Sequence, residues 1–107
     1  MKIYIVGVGC VGKTTIGELL AENLGYSFYD LDQNVEDYYG NPIEIIQNES
    51  YGIIDFREKA SIVLDELFST EGDAVIYGTI SGLTGAYLRI YKKYKKTKNM
   101  ISLHLDR

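Results

Sequence analysis

The 107-residue sequence predicts an α/β fold built on a parallel sheet, and three observations carry that expectation. Short apolar runs of strand length alternate with longer stretches of helical periodicity. A glycine-rich segment joins the first strand to the first helix. Gly7, Asp30 and Gly78, residue types suited to ligand contact, each fall just past a predicted strand. Alternating strands and helices need crossover connections, which are right-handed and set neighbouring strands parallel. Ligands of such sheets bind beyond the carboxyl ends of the strands, so these three positions are expected to meet on one rim.

Each element has a local reason. Ile3-Tyr4-Ile5-Val6 reads as a buried strand. A helix is predicted over 13–24, with Ile16, Leu19, Leu20 and Leu24 facing inward and Gly25 as its stop. Tyr26-Ser27-Phe28-Tyr29 reads as a short strand ending at Asp30. Asp32 is expected to cap a brief helix that ends at Gly40. Asn41-Pro42-Ile43-Glu44 signals a new helical turn, with Asn as cap, Pro first and Glu third. Ser50 is expected to cap a helix reaching about Ser69, since Ile53, Phe56, Ala60, Val63, Leu64 and Leu67 share one face. Ala74-Val75-Ile76-Tyr77 is the third strand. A loop through Gly82 leads to a lysine-rich helix, and Met100 to Leu105 is the fourth strand.

Composition bounds the possibilities. The chain has material for one modest core, and the single Cys10 forms no internal disulfide. No apolar stretch is long enough to span a bilayer, the N-terminal run is no signal peptide, and the cytoplasm is the expected compartment. Net charge is −4, but residues 89–107 hold seven basic and one acidic side chain. The basic run is read as a solvated helix face rather than a nucleic-acid surface. Tyr87, Tyr91 and Tyr94 recur with Leu83 and Ile90 at helical spacing, as part of a core stripe.

The segment Gly7-Val8-Gly9-Cys10-Val11-Gly12-Lys13-Thr14 satisfies Gly-x-x-x-x-Gly-Lys-Ser/Thr between a strand and a helix, the context of a phosphate-binding P-loop. Gly7, Gly9 and Gly12 let backbone N–H groups converge on phosphate, and the following helix adds its positive end. Lys13 is expected to neutralise the β and γ phosphates, Thr14 to ligate Mg²⁺, and Thr15 to lie near the α-phosphate. A nucleoside triphosphate is therefore the expected ligand. Asp30-Leu31-Asp32 sets two carboxylates on the same rim, one for Mg²⁺ and one to accept the proton of an attacking hydroxyl. Their competing role is helix capping. Arg57 suits an anionic carboxylate; the competing reading is an ion pair with Asp55 or Glu58.

These residues together resemble the shikimate kinase family. The resemblance rests on Gly12 to Gly17, on Asp30-Leu31-Asp32, on Gly40-Asn41-Pro42-Ile43, and on Gly52 through Phe56-Arg57. It implies a P-loop NTPase-type three-layer αβα fold with strand order 2-3-1-4, ATP and Mg²⁺ as cofactors, and phosphorylation of a shikimate hydroxyl. It also implies roles by position. Lys13 and Asp32 are catalytic, and Gly7, Gly9, Cys10, Val11, Gly12, Lys13, Thr14 and Thr15 bind nucleotide. Asp32, Arg57 and Gly78 bind substrate, with Thr14 and Asp30 on the metal. The sequence departs from the family pattern at Cys10, at Ala60, and at Gly78-Thr79-Ile80, where the family has three glycines. The family also continues, beyond the position of Arg107, into a lid with further arginines, a fifth strand and a closing helix. The expectation is thus one incomplete domain, 1–107, that transfers phosphate slowly and pairs with a second copy through its fourth-strand edge. A kinase for a different small metabolite and a non-catalytic or vestigial nucleotide-binding module are the alternatives.

Overall fold

The computed structural model describes residues 1–7, 13–78 and 83–105. Its elements are β1 (Lys2–Gly7), α1 (Lys13–Leu24), β2 (Ser27–Asp30), α2 (Leu31–Tyr39), α3 (Ile43–Asn48), α4 (Ile53–Ser69), β3 (Ala74–Tyr77), α5 (Gly85–Lys95) and β4 (Met100–Leu105). The four strands form one sheet in the order β2-β3-β1-β4, and every pair is parallel. Helices cover both faces, giving the three layers expected.

The two faces are filled differently. Tyr4, Val6 and Ile76 join Phe56, Leu64 and Phe68 of α4 and Tyr87 and Tyr91 of α5 in the main core. Tyr4 sits edge-on to Phe68 with centroids 5.1 Å apart and stacks on Tyr91 at 5.9 Å. The opposite core is small: Ile3, Ile5 and Val75 pack with Ala21 of α1. Here the expected inward face of α1 is corrected. Ile16, Leu19 and Leu24 are each about half exposed (50%, 54% and 45%), whereas Gly17 and Ala21 turn to the sheet. A Cβ at Gly17 would lie 2.7 Å from Cε1 of Phe28. Small residues spaced i, i+4 bring the helix axis close enough for Phe28 and Ile5 to fill the gap, which bulky side chains would prevent.

Helix starts differ as well. Asp30, not Asp32, caps α2: its carboxylate accepts from the Asp32 N–H at 3.0 Å, and Asp32 falls in the first turn. Asn41 does not cap α3. Pro42 occupies the cap position, and Glu36 accepts from the Ile43 N–H at 2.8 Å in place of a local cap. Ser50 does not cap α4. Its hydroxyl donates back to the Ile46 carbonyl, and Gly52, with φ of 97°, makes the turn into the helix. Ile53, placed on the inner face of α4 by periodicity, is 56% exposed because it lies in that first turn, before the helix reaches the sheet. At the far end of α4, buried Lys2 donates to the carbonyls of Thr70 and Gly72 at 2.7 and 2.6 Å, a cation where helix carbonyls lack partners.

Candidate active site

The register sets the rim. Asp30 pairs with Tyr77 and Tyr77 with Ile5, so β2, β3 and β1 reach one level at their carboxyl ends. Gly78 continues β3, and its N–H donates to the Ile5 carbonyl at 2.7 Å. Gly7 ends β1 opposite Leu105 of β4. The backbone thus brings Gly7, Asp30 and Gly78 to the same edge of the sheet. Of the predicted P-loop, Gly9, Cys10, Val11 and Gly12 lie outside the described residues, as do the side chains of Lys13, Thr14 and Thr15. Thr79 and Ile80 lie outside them too.

Two carboxylates stand at the head of α2. Asp30 closes β2 and caps the helix, while Asn34 donates to its carbonyl at 2.8 Å. Asp32 is exposed in the first helical turn, where a negative side chain complements the helix dipole. Of the two carboxylates, Asp30 is therefore the one that caps α2.

Arg57 is half-buried on α4, next to Phe56 in the main core. The expected competing ion pairs do not form. Asp55 pairs with Lys59 at 3.5 Å. Glu58 receives both guanidinium nitrogens of Arg89, at 3.1 and 2.9 Å. That fork holds the Glu58 carboxyl below the usual carboxylate range and raises Arg89 further. Among the described residues no ion pair is made by Arg57, although acids flank it two residues before and one residue after.

One further polar residue is fully buried in the main core. Tyr87, on the first turns of α5, is 1% exposed. It shares the main core with Leu31 and Phe56, the immediate neighbours of Asp32 and Arg57. Burial pushes its phenol up to about 12; the Asp32 charge adds to the shift and the Arg57 charge opposes it.

Gly78 has a packing constraint independent of any ligand. A Cβ there would meet Cε1 of Tyr4 at 2.6 Å and its Cζ and hydroxyl at 3.0 Å. A surface cavity of about 290 Å³ lined by Lys92, Lys95 and Lys96 lies at the other end of α5 from this rim. Among the described residues no three His, Cys, Asp or Glu side chains cluster to hold a metal, and no helix is long and apolar enough to cross a membrane.

The shikimate kinase family model matches residues 9–107. Shikimate kinase 3, chloroplastic, of Oryza sativa subsp. japonica is 46% identical over 83 residues, covering 69% of this chain and 28% of that protein. The crystal structure of shikimate kinase from Aquifex aeolicus superposes with a TM-score of 0.80 at 30% identity, over 100% of this chain and 60% of that one. Shikimate kinase from Acinetobacter baumannii in complex with shikimate gives 0.78 at 32%, over 97% of this chain and 55% of that one. The chain thus spans between a quarter and three fifths of the length of these relatives.

Proposed function

The chain belongs to the shikimate kinase family, and on that premise we propose that it binds ATP at its P-loop and transfers the γ-phosphoryl group to a hydroxyl of shikimate. The observation that supports this most is the state of Arg57. Among the described residues Arg57 forms no ion pair, its acidic neighbours being paired with Lys59 and Arg89, and its planar fork suits a carboxylate. The ligand it suits carries a carboxylate at one end and hydroxyls at the other, within reach of Asp32.

The proposed chemistry is a direct displacement. Arg57 holds the acceptor carboxylate and fixes the ring's orientation. Asp32 accepts the proton of the reacting hydroxyl as its oxygen bonds to the γ-phosphorus. The bond from that phosphorus to the bridging oxygen breaks, and ADP leaves. Lys13 spreads positive charge over the β and γ phosphates, beside the N–H groups of Gly7 to Thr15. Mg²⁺ when bound would neutralise charge on the same two phosphates. Thr14 and Asp30 are the residues to hold it. Asp30 fits that task because one carboxylate oxygen accepts from Asp32 and the other remains for a hydrated cation. Mg²⁺ keeps several waters and uses few protein ligands, so a dense acidic cluster is not needed.

The test is transfer of labelled phosphate from ATP to shikimate by the unaltered chain and by Asp32→Asn. The expected outcome is labelled shikimate phosphate with the parent and a loss of about 10²–10⁴-fold in the variant, the usual share of a general base. Nucleotide binding without transfer to shikimate or any other small polyol acid would refute the kinase reading. The proposal extends to assembly. Ile101 and Leu103 of β4 are 42% and 36% exposed, and among the described residues β4 pairs only with β1. A second copy is the proposed occupant of that edge.

A further inference from the structure

We propose that the cavity beside the last turns of α5 binds a small amphipathic anion, an apolar ring carrying a carboxylate, through Lys92, Lys95 and Lys96. The site lies away from the rim and does not depend on the kinase reading.

Folding sorts the basic run of α5 into two rows. Arg89 and Lys93, one helical turn apart, face α4 and are neutralised there, by Glu58 at 2.9 Å and by Asp65 at 3.2 Å. Lys92 and Lys96 are also one turn apart, and among the described residues neither makes an ion pair. Lys95 lies beside them, its ammonium donating to the Tyr91 hydroxyl and the Met100 carbonyl, both at 3.4 Å. Three ammonium groups therefore share one patch without a counter-charge among the described residues, in a chain whose net charge is −4. Cations in a last helical turn complement the helix dipole, which accounts for a lysine such as Lys95. It does not account for Lys92 and Lys96 together, since like charges at i, i+4 destabilise a helix. An anion set between them replaces that repulsion with attraction.

The shape of the patch says which anion. The three lysines do not stand on a convex surface: they line a cavity of about 290 Å³, near the lower end of the sizes that take organic ligands. Its walls are almost wholly apolar. Lysines make such walls by laying their methylene stems along a surface while the charged heads stay in water. Apolar walls with cations around them fit a ligand that has a hydrophobic body and an anionic head. A bare polyphosphate would meet the charges but leave the apolar walls in water.

The probes are benzoate, its neutral counterpart benzyl alcohol, and inorganic diphosphate. Each is titrated into the unaltered chain, Lys92→Gln, Lys96→Gln and Lys93→Gln, and followed by amide NMR shifts. Lys93→Gln removes the same charge from the same stretch of helix, but from the paired row. The expected result is benzoate binding that exceeds that of both other probes and weakens as salt rises. It should fall about two- to fivefold in Lys92→Gln and in Lys96→Gln, with Lys93→Gln near the parent. Equal loss in all three variants overturns the inference in favour of net charge alone. Diphosphate bound more tightly than benzoate overturns it in favour of a polyphosphate surface, and benzyl alcohol bound as tightly overturns the part given to the lysines. Absence of benzoate binding overturns it outright. Displacement of benzoate by ATP or shikimate would set it on the rim, overturning this inference and leaving the proposed function standing.

Discussion

Gly78→Ala should destabilise the protein by an amount that can be worked from its surroundings. The added Cβ would stand 2.6 Å from Cε1 of Tyr4 and 3.0 Å from Cζ. Contacts under about 3 Å are repulsive, so either the loop or the ring must move. The ring has nowhere to go: Tyr4 is 0% exposed, edge-on to Phe68 and stacked on Tyr91. Nor can the backbone easily retreat, because the Gly78 N–H is bonded to Ile5 at 2.7 Å. Overpacking a filled core costs about 1–3 kcal/mol. With unfolding entropy near 2.1 cal/mol/K per residue, that lowers the melting temperature by about 4–13 °C in a chain of this size. Urea titration at low temperature and a thermal melt measure it. Tyr4→Leu supplies the second arm of a double-mutant cycle: combined with Gly78→Ala it should recover about 1 kcal/mol or more of the clash. A Gly78→Ala protein that melts within about 1 °C of the parent, or a cycle with no coupling, would refute the packing account. Gly78 would then be left with ligand approach as its only reason to be glycine.

Three further outcomes follow from the same geometry. Arg57→Ala should weaken shikimate binding by about 10–100-fold in a titration while leaving urea stability within about 0.5 kcal/mol, since no ion pair of the free chain is lost among the described residues. Stability should fall at high pH: Tyr87 is raised from 10.0 to about 12 and Tyr4 is also raised by burial, so both keep their protons when folded. Their contribution is complete below pH 10 and is lost as the pH climbs toward and through the folded values, at up to about 1.4 kcal/mol per pH unit for each phenol, and urea midpoints at pH 9 and 11 check it. Light scattering should give the mass of a dimer, and Leu103→Lys, which adds charge on the β4 edge, should return a monomer.

The sheet was legible because its strands are apolar runs whose partners repeat the same chemistry, and parallel order follows from the alternation of elements. The helix caps were less so. Asp30, Asp32, Asn41 and Ser50 all have capping side chains, and which one acts depends on where β2 ends and where Glu36 reaches. The inner face of α1 was misread for a related reason. Periodicity weighs large apolar residues, yet Gly17 and Ala21 make the contact because Phe28 of the sheet brings the bulk. The rim positions were legible as residue types just past strand ends. Whether an arginine among acids is paired or vacant depends on long-range partners, and sequence separation hides those.

That last point decides how the rim works. Arg57 sits in a run of charges, Asp55 to Lys59, that read locally as a self-neutralising helix surface. The fold breaks that symmetry. Arg89 comes from α5, 31 residues away, and takes Glu58 with both nitrogens, while Lys59 turns back to Asp55 one helical turn earlier. Arg57 is thereby without an ion pair among the described residues, half-buried beside a core that includes Phe56. On the proposed function, Glu58 and Arg89 would bear on acceptor binding without touching the acceptor. Removing Arg89 would release Glu58 to compete for Arg57, and acceptor affinity would fall although every residue in contact with the acceptor is intact. Arg89→Ala paired with Glu58→Gln separates this from a loss of packing: the double variant should regain the affinity that the single variant loses.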